Sequence, residues 1–158
     1  MRRWVNGKQL NRLVEFPQET PLVEFTHSQR SRYSETDRMG YVYYGRYLEY
    51  FEVARTEMIR AFGFSYRELE ESGVMLPVIH SEIEYKAPIL YDEEMLVKVM
   101  VFEKPAVRLQ TFYEVTTPAS DKVHVFGEVS LCFTDAETRK PCRAPESFVK
   151  AMLQQSPK

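Results

Sequence analysis

The sequence predicts an α+β domain in which an antiparallel sheet of about five strands wraps around one long central helix, working as a homodimer or homotetramer. Over Arg46 to Phe62, the residues Tyr47, Leu48, Phe51, Ala54, Met58, Ala61 and Phe62 recur at three- and four-residue steps, the period of an amphipathic helix. Beyond residue 74 the chain reads as four β-rich runs joined by links too short for a parallel crossover, so successive strands run antiparallel. A helix this apolar needs cover on most sides, and an open sheet leaves edge strands to be paired or hidden, so a second copy of the chain is expected.

The elements follow in order. Residues 1–21 carry Arg2, Arg3, Lys8 and Arg12 among isolated apolar residues and end in a Pro17 to Pro21 turn. They are read as an N-terminal extension without an assigned role, and 22–158 as the single domain. Leu22 to Tyr33 alternates loosely with β-branched and aromatic residues, as a strand with one wet face does. The helix then stops at Gly63. Ser65 with Glu68 three residues on forms a capping-box pattern for a short second helix that ends near Gly73. Strands are expected over Met75 to Tyr85, Glu94 to Glu103, Val107 to Thr117 and Val123 to Thr134, broken by Pro88 and Asp92, by Lys104-Pro105 and by Pro118 to Asp121. A helical turn over Pro145 to Leu153 completes the chain.

Composition excludes several functions. The 158 residues carry 21 Lys and Arg against 23 Asp and Glu, so the balance is not that of a dedicated nucleic-acid binder. Cys132 and Cys142 are too few for a disulfide scaffold, which favours a reducing, cytoplasmic setting. No run is apolar and long enough for a membrane span or signal peptide. The six glycines are not clustered into a phosphate-cradling loop, no Gly-x-Ser-x-Gly elbow is present, and His27, His80 and His124 show no metal-ligand spacing. Nucleotide phosphotransfer, a Ser or Cys acyl-enzyme and a metal site are therefore not expected. His80 reads as a half-buried packing residue.

What remains is Asp37-Arg38-Met39-Gly40-Tyr41-Val42-Tyr43-Tyr44-Gly45-Arg46-Tyr47, a lone carboxylate feeding into the start of the apolar helix. Unpaired N–H groups and the positive end of the helix dipole gather there. On the N–H groups near Tyr44 to Arg46 a substrate carbonyl would find its developing charge stabilised by about 3 kcal/mol per well-placed donor. Asp37 would then be a base or a nucleophile. Spacing alone leaves this open against the plainer alternative, a cap on a turn or on the helix.

The stretch Tyr33 to Glu57, YSETDRMGYVYYGRYLEYFEVARTE, resembles the hot-dog fold acyl-CoA thioesterases of the 4-hydroxybenzoyl-CoA thioesterase family. The likeness lies in an aspartate (Asp37), a Gly three residues on (Gly40), a Val and an aromatic (Val42, Tyr43), then Tyr44 and a helix with Glu52 and Arg55. It continues through APILYDE, around Pro88 to Glu93, and spans roughly residues 22 to 140. The resemblance implies a thioester hydrolase without a cofactor, with Asp37 as general base or nucleophile and the Tyr44 backbone N–H polarising the carbonyl. Many relatives carry Asn or His at the Tyr44 position, which leaves a main-chain role standing but not a side-chain one. Gly40, Val42 and Tyr43 would shape the acyl pocket, while Tyr47 and Phe51 would pack the helix onto the sheet. Lys86, Lys104 and Arg108 would hold the coenzyme A phosphates. Arg38 and Arg46 would serve there too, or pair with Glu35 and Glu49. No histidine lies between Ser28 and Ile79, unlike in hot-dog dehydratases. An acyl carrier protein thioesterase and a non-catalytic acyl-CoA-binding module are the alternatives.

Overall fold

The computed structural model describes residues 14–154, together with the backbone of Trp4–Val5 and Lys8–Gln9, which pair with each other. The other residues of 1–13, and residues 155–158, lie outside the described residues. Five long strands form one sheet: β1 (Val23–Arg30), β2 (Val78–Tyr85), β3 (Glu94–Val101), β4 (Arg108–Thr117) and β5 (Ser120–Cys132). Their order is β1-β3-β4-β5-β2, every neighbouring pair antiparallel. The long helix α1 (Arg46–Ala61) lies against one face, and two shorter helices, α2 (Tyr66–Glu71) and α3 (Glu146–Leu153), close its far end. This is the hot-dog arrangement that the sequence predicts.

Helix α1 buries Tyr47, Phe51, Ala54 and Met58 of the predicted stripe, with Phe62 just past its end, and adds Tyr50 and Ile59, whereas Leu48 and Ala61 of that stripe are exposed. Burying each large side chain contributes about 1.5–3 kcal/mol. The Phe51 ring stacks on Tyr113 of β4, centroids 4.2 Å apart and planes 14° from parallel. It occupies the space that Gly127 of β5 leaves open, because a Cβ there would stand 2.3 Å from the ring. One turn further along α1, Arg55 is buried and donates to the hydroxyls of Tyr66 (2.7 Å) and Tyr113 (3.2 Å), tying the helix to the sheet and to α2. Gly63 takes φ +83° just past the helix end, the left-handed position that favours glycine. At α2 the Ser65 and Glu68 capping box forms as predicted.

Three boundaries differ from the predicted ones, each for a local reason. The run expected over Met75 to Tyr85 breaks into Val74–Met75, paired with Thr134–Asp135, and β2. Pro77 lies between them and has no N–H to give a ladder. Strand β5 starts at Ser120, earlier than expected, because Thr117 and Ser120 pair across a tight turn at Pro118-Ala119. The first strand ends at Arg30, and Tyr33–Glu35 instead forms a single 3₁₀ turn.

The sheet's other face is partly covered by the end of the N-terminal extension. Val14 is buried and its N–H donates to Glu84 on β2 over 3.3 Å, while Phe16 meets Phe112 and Phe126 edge-on. Residues 14–16 thus belong to the packed body, although the sequence boundary is set at residue 21. Strand β2 remains an exposed edge, with Val78 and Ile79 half open to solvent.

Candidate active site

The loop between β1 and α1 is built by its own hydrogen bonds. Thr36 bridges to Val42, the Asp37 N–H donates to the Tyr41 carbonyl (3.0 Å), and the Gly40 N–H donates back to the Asp37 carbonyl (3.1 Å). The turn closes with φ +83° at Gly40, a conformation most side chains resist. The loop is then fastened to the β2–β3 connection, Val42 N–H to Ile89 carbonyl at 2.8 Å and Tyr91 N–H to Gly40 carbonyl at 3.3 Å. Within it, Asp37 accepts the Met39 N–H on Oδ1 at 2.8 Å, an Asx turn. Among the described residues nothing occupies its second oxygen, so the carboxylate caps the turn and keeps one acceptor spare.

Asp37 does not cap α1. The N-cap is Gly45, which has no side-chain cap. The Arg46 N–H, counted by sequence among the oxyanion donors, is spent on the Tyr43 carbonyl at 2.9 Å. This closes the chain into the first turn, so the donor set is smaller than expected. The Tyr43 N–H likewise goes to the Glu35 carbonyl at 2.9 Å. The N–H groups of Tyr44 and Gly45 have no acceptor among the described residues. They are what the helix start offers to an anion.

Asp37 and Tyr44 line one cavity of about 330 Å³, together with Val42, Tyr47, Tyr85 and Lys86, at the small end of the size range of ligand sites. The Tyr85 hydroxyl donates to the Tyr44 carbonyl at 3.0 Å and its ring meets Tyr44 and Tyr47 edge-on. Burial pushes the Tyr47 phenol up to about 12, the Ile89 main-chain N–H at its oxygen pulling the other way, so it stays a neutral wall. Lys86 is ion-paired with the buried Glu84. Gly40 lines a neighbouring recess of about 600 Å³ with Asp37 and Arg38. Tyr43 is exposed, tilted against the Tyr44 ring at 4.6 Å, and lies outside the 330 Å³ cavity.

Lys104 and Arg108 are not brought to this cavity within one subunit. They line a separate recess with Gln110 and Ser130. Arg108 faces Cys132 where Tyr85 faces Val125, about 24 Å along β5 at roughly 3.4 Å per residue. Arg46 pairs with Glu49 at 2.8 Å as anticipated, whereas Glu35 is buried and pairs with Arg32 at 2.8 Å, not with Arg38. The Tyr50 hydroxyl also donates to Glu35 at 2.9 Å. Burial pushes Glu35 up, but the Arg32 N–H and guanidinium with the Tyr50 hydroxyl outweigh it and hold the carboxyl below its ordinary value. His80 is exposed, not half-buried, because β2 is the sheet edge. Sequence reasoning missed Tyr85 as a wall of the site; its one signal is an aromatic at a strand end beside Lys86.

The arrangement places Asp37, a carboxylate with a spare oxygen, and Tyr44, whose main-chain donor is unspent, around one aromatic-walled cavity, with the unspent Gly45 N–H next in the chain. That set suits addition of water or of the carboxylate to a polarised carbonyl. Comparison with known proteins points the same way. A putative acyl-CoA thioesterase, YneP, from Bacillus subtilis is 34% identical over 117 residues, 74% of this chain and 84% of that protein. The acyl-CoA thioester hydrolase YbgC of Escherichia coli is 30% identical over 125 residues, 79% of this chain and 92% of the relative. Among solved structures, a DHNA-CoA thioesterase from Staphylococcus aureus superposes with a TM-score of 0.72 at 34% identity, covering 76% of this chain and 80% of the other. The profile of the Thioesterase-like superfamily matches residues 31–152, from the loop that carries Asp37 to the last helix, and the chain belongs to that family.

Proposed function

We propose that the chain is an acyl-CoA thioesterase, releasing a free acid and coenzyme A with Asp37 as general base or nucleophile. The observation that carries this reading is the Asp37 carboxylate and the unspent Tyr44 N–H on the wall of one cavity. The thioester carbonyl sits on the N–H groups of Tyr44 and Gly45. Water, deprotonated by Asp37, or Asp37 itself adds to the carbonyl carbon, the C–S bond breaks, and the thiolate leaves to be protonated. Relatives named as acyl-CoA hydrolases support the reaction class. Val42 and the tyrosine walls support a compact acyl group, aromatic or short, with Gly40 and Tyr43 holding the loop that frames it.

Lys86 is the cation on this cavity for the coenzyme A phosphates. Lys104 and Arg108 serve only when a neighbouring subunit supplies them. A homodimer or homotetramer is supported by the exposed β2 edge with Val78 and Ile79 and by Leu48 and Val53 open on α1. Free Cys132 and Cys142 support a reducing, cytoplasmic setting, and no helix among the described residues is long and apolar enough to cross a membrane. The test is a thiol-release assay of the purified chain against aromatic, short, branched and long acyl-CoA substrates, with acyl carrier protein thioesters as a separate arm. Release from a coenzyme A thioester is the expected result. Release from acyl carrier protein alone moves the donor, and binding without release makes the chain an acyl-CoA-binding module.

A further inference from the structure

Away from the Asp37 cavity, the sheet face turned from α1 holds an unusual grouping. Gly127 faces the helix through Phe51, so its neighbour Glu128 points to the opposite face. The register sets Glu82 directly across from Glu128, and an irregularity between Val78 and His80 sets His80 across from Ser130. Two carboxylates therefore face each other on adjacent strands, an arrangement that repels. No Lys or Arg among the described residues pairs with either one. Between them stands the His80 imidazole, its Nε2 at 3.5 Å from Glu82 Oε1 and 3.5 Å from Glu128 Oε2.

Glu128 is the second, independent indication. Its residue is 8% exposed, and its Oε1 is held by the Ser130 hydroxyl (2.6 Å) and the Gln110 amide (3.2 Å). These bonds orient the carboxylate so that Oε2, which takes no hydrogen bond among the described residues, is aimed at His80. A buried acceptor with one oxygen satisfied and the other left facing a ligand-type nitrogen is how outer partners set a metal ligand. The three atoms lie within 4.8 Å of one another. Ligands at about 2.0–2.2 Å from a tetrahedral ion stand about 3.4 Å apart, close to both observed spacings.

The geometry points to a divalent-cation site formed by His80, Glu82 and Glu128, of the zinc class, clipping the edge strand β2 to β5. One imidazole nitrogen with two carboxylate oxygens suits zinc and its neighbours, whereas magnesium and calcium take all-oxygen shells. The ion neutralises the facing carboxylates and holds β2 across its irregularity. The local spacing of the histidines hides the site, because Glu128 lies 48 positions from His80 and joins it only through strand pairing.

The full chain, stripped with a chelator, is titrated with Zn²⁺ by calorimetry, and its thermal midpoint is followed with and without the ion. One Zn²⁺ per chain and a raised midpoint are expected. His80→Ala and Glu82→Gln, at exposed positions that the fold tolerates, each weaken binding at least tenfold and abolish the midpoint shift. Glu128→Gln does the same if it folds. Substoichiometric binding, or binding unchanged in both His80→Ala and Glu82→Gln, overturns the site and assigns the ion elsewhere, as to the cysteines. Tighter binding of Mg²⁺ or Ca²⁺ at these residues overturns the zinc class. Acyl-CoA hydrolysis by His80→Ala stays at the wild-type level, so the site and the thioesterase reading fail separately.

Discussion

The Tyr85 hydroxyl, on the last residue of the edge strand β2, donates to the Tyr44 carbonyl at the start of α1 over 3.0 Å. This single bond joins the sheet to the turn that carries the free Tyr44 and Gly45 N–H groups. Tyr85 acts through the main chain of Tyr44 and is a positioning residue. Tyr85→Phe removes a bond worth about 0.5–1.5 kcal/mol. Its kcat is expected to fall by up to about tenfold with KM little changed, beside a thermal midpoint lowered by a few degrees at most. An unchanged kcat beside that lowered midpoint would make the bond merely structural.

Asp37→Asn keeps the Asx turn, since an amide oxygen also accepts the Met39 N–H, but removes the base. The kcat/KM is expected to fall by about 10²–10⁴-fold while acyl-CoA binding and circular dichroism are retained. Steady-state kinetics beside a binding titration check this. Unchanged turnover would take Asp37 out of the mechanism.

Gly127 makes room for Phe51, so Gly127→Ala forces a Cβ toward a ring already clamped on Tyr113. Overpacking of this kind costs about 1–3 kcal/mol, to be read as a lowered urea midpoint. Phe51→Leu in the same chain is expected to recover part of the loss, because the two sites share one volume.

Glu35 is held below its ordinary carboxyl value in the folded chain. A depressed folded value contributes stability that is present above the unfolded value of about 4.3 and is lost as pH falls through the folded one. Glu35→Gln is therefore expected to lower the thermal midpoint at pH 7, and the gap to the wild type narrows below about pH 4. Melting curves from pH 7 to pH 3 check the sign; a gap that widens in acid would contradict it.

The site was legible in part. Asp37, Val42 and Tyr44 are close in sequence, and a turn followed by a helix start brings them together without help from the rest of the chain. Tyr85 and Lys86 arrive from a strand some forty residues on, and only the β2–β5 pairing delivers them. Glu35 read as a surface charge, since nothing in its neighbours announces that Tyr50, one side of a helix away, closes over it. Lys104 and Arg108 shared a chemistry with Lys86, and charge alone carries no information about which end of a sheet a residue occupies.

The chain's own periodicity determined the span of α1, its stop at Gly63 and the antiparallel run of strands, because helix and strand patterns depend on residues a few positions apart. Tertiary structure decided the strand order, the walls of the Asp37 cavity, the burial of Glu35 and the meeting of His80 with Glu82 and Glu128. Each of those depends on pairings between residues tens of positions apart, where the energy comes from burial and register that no local pattern records.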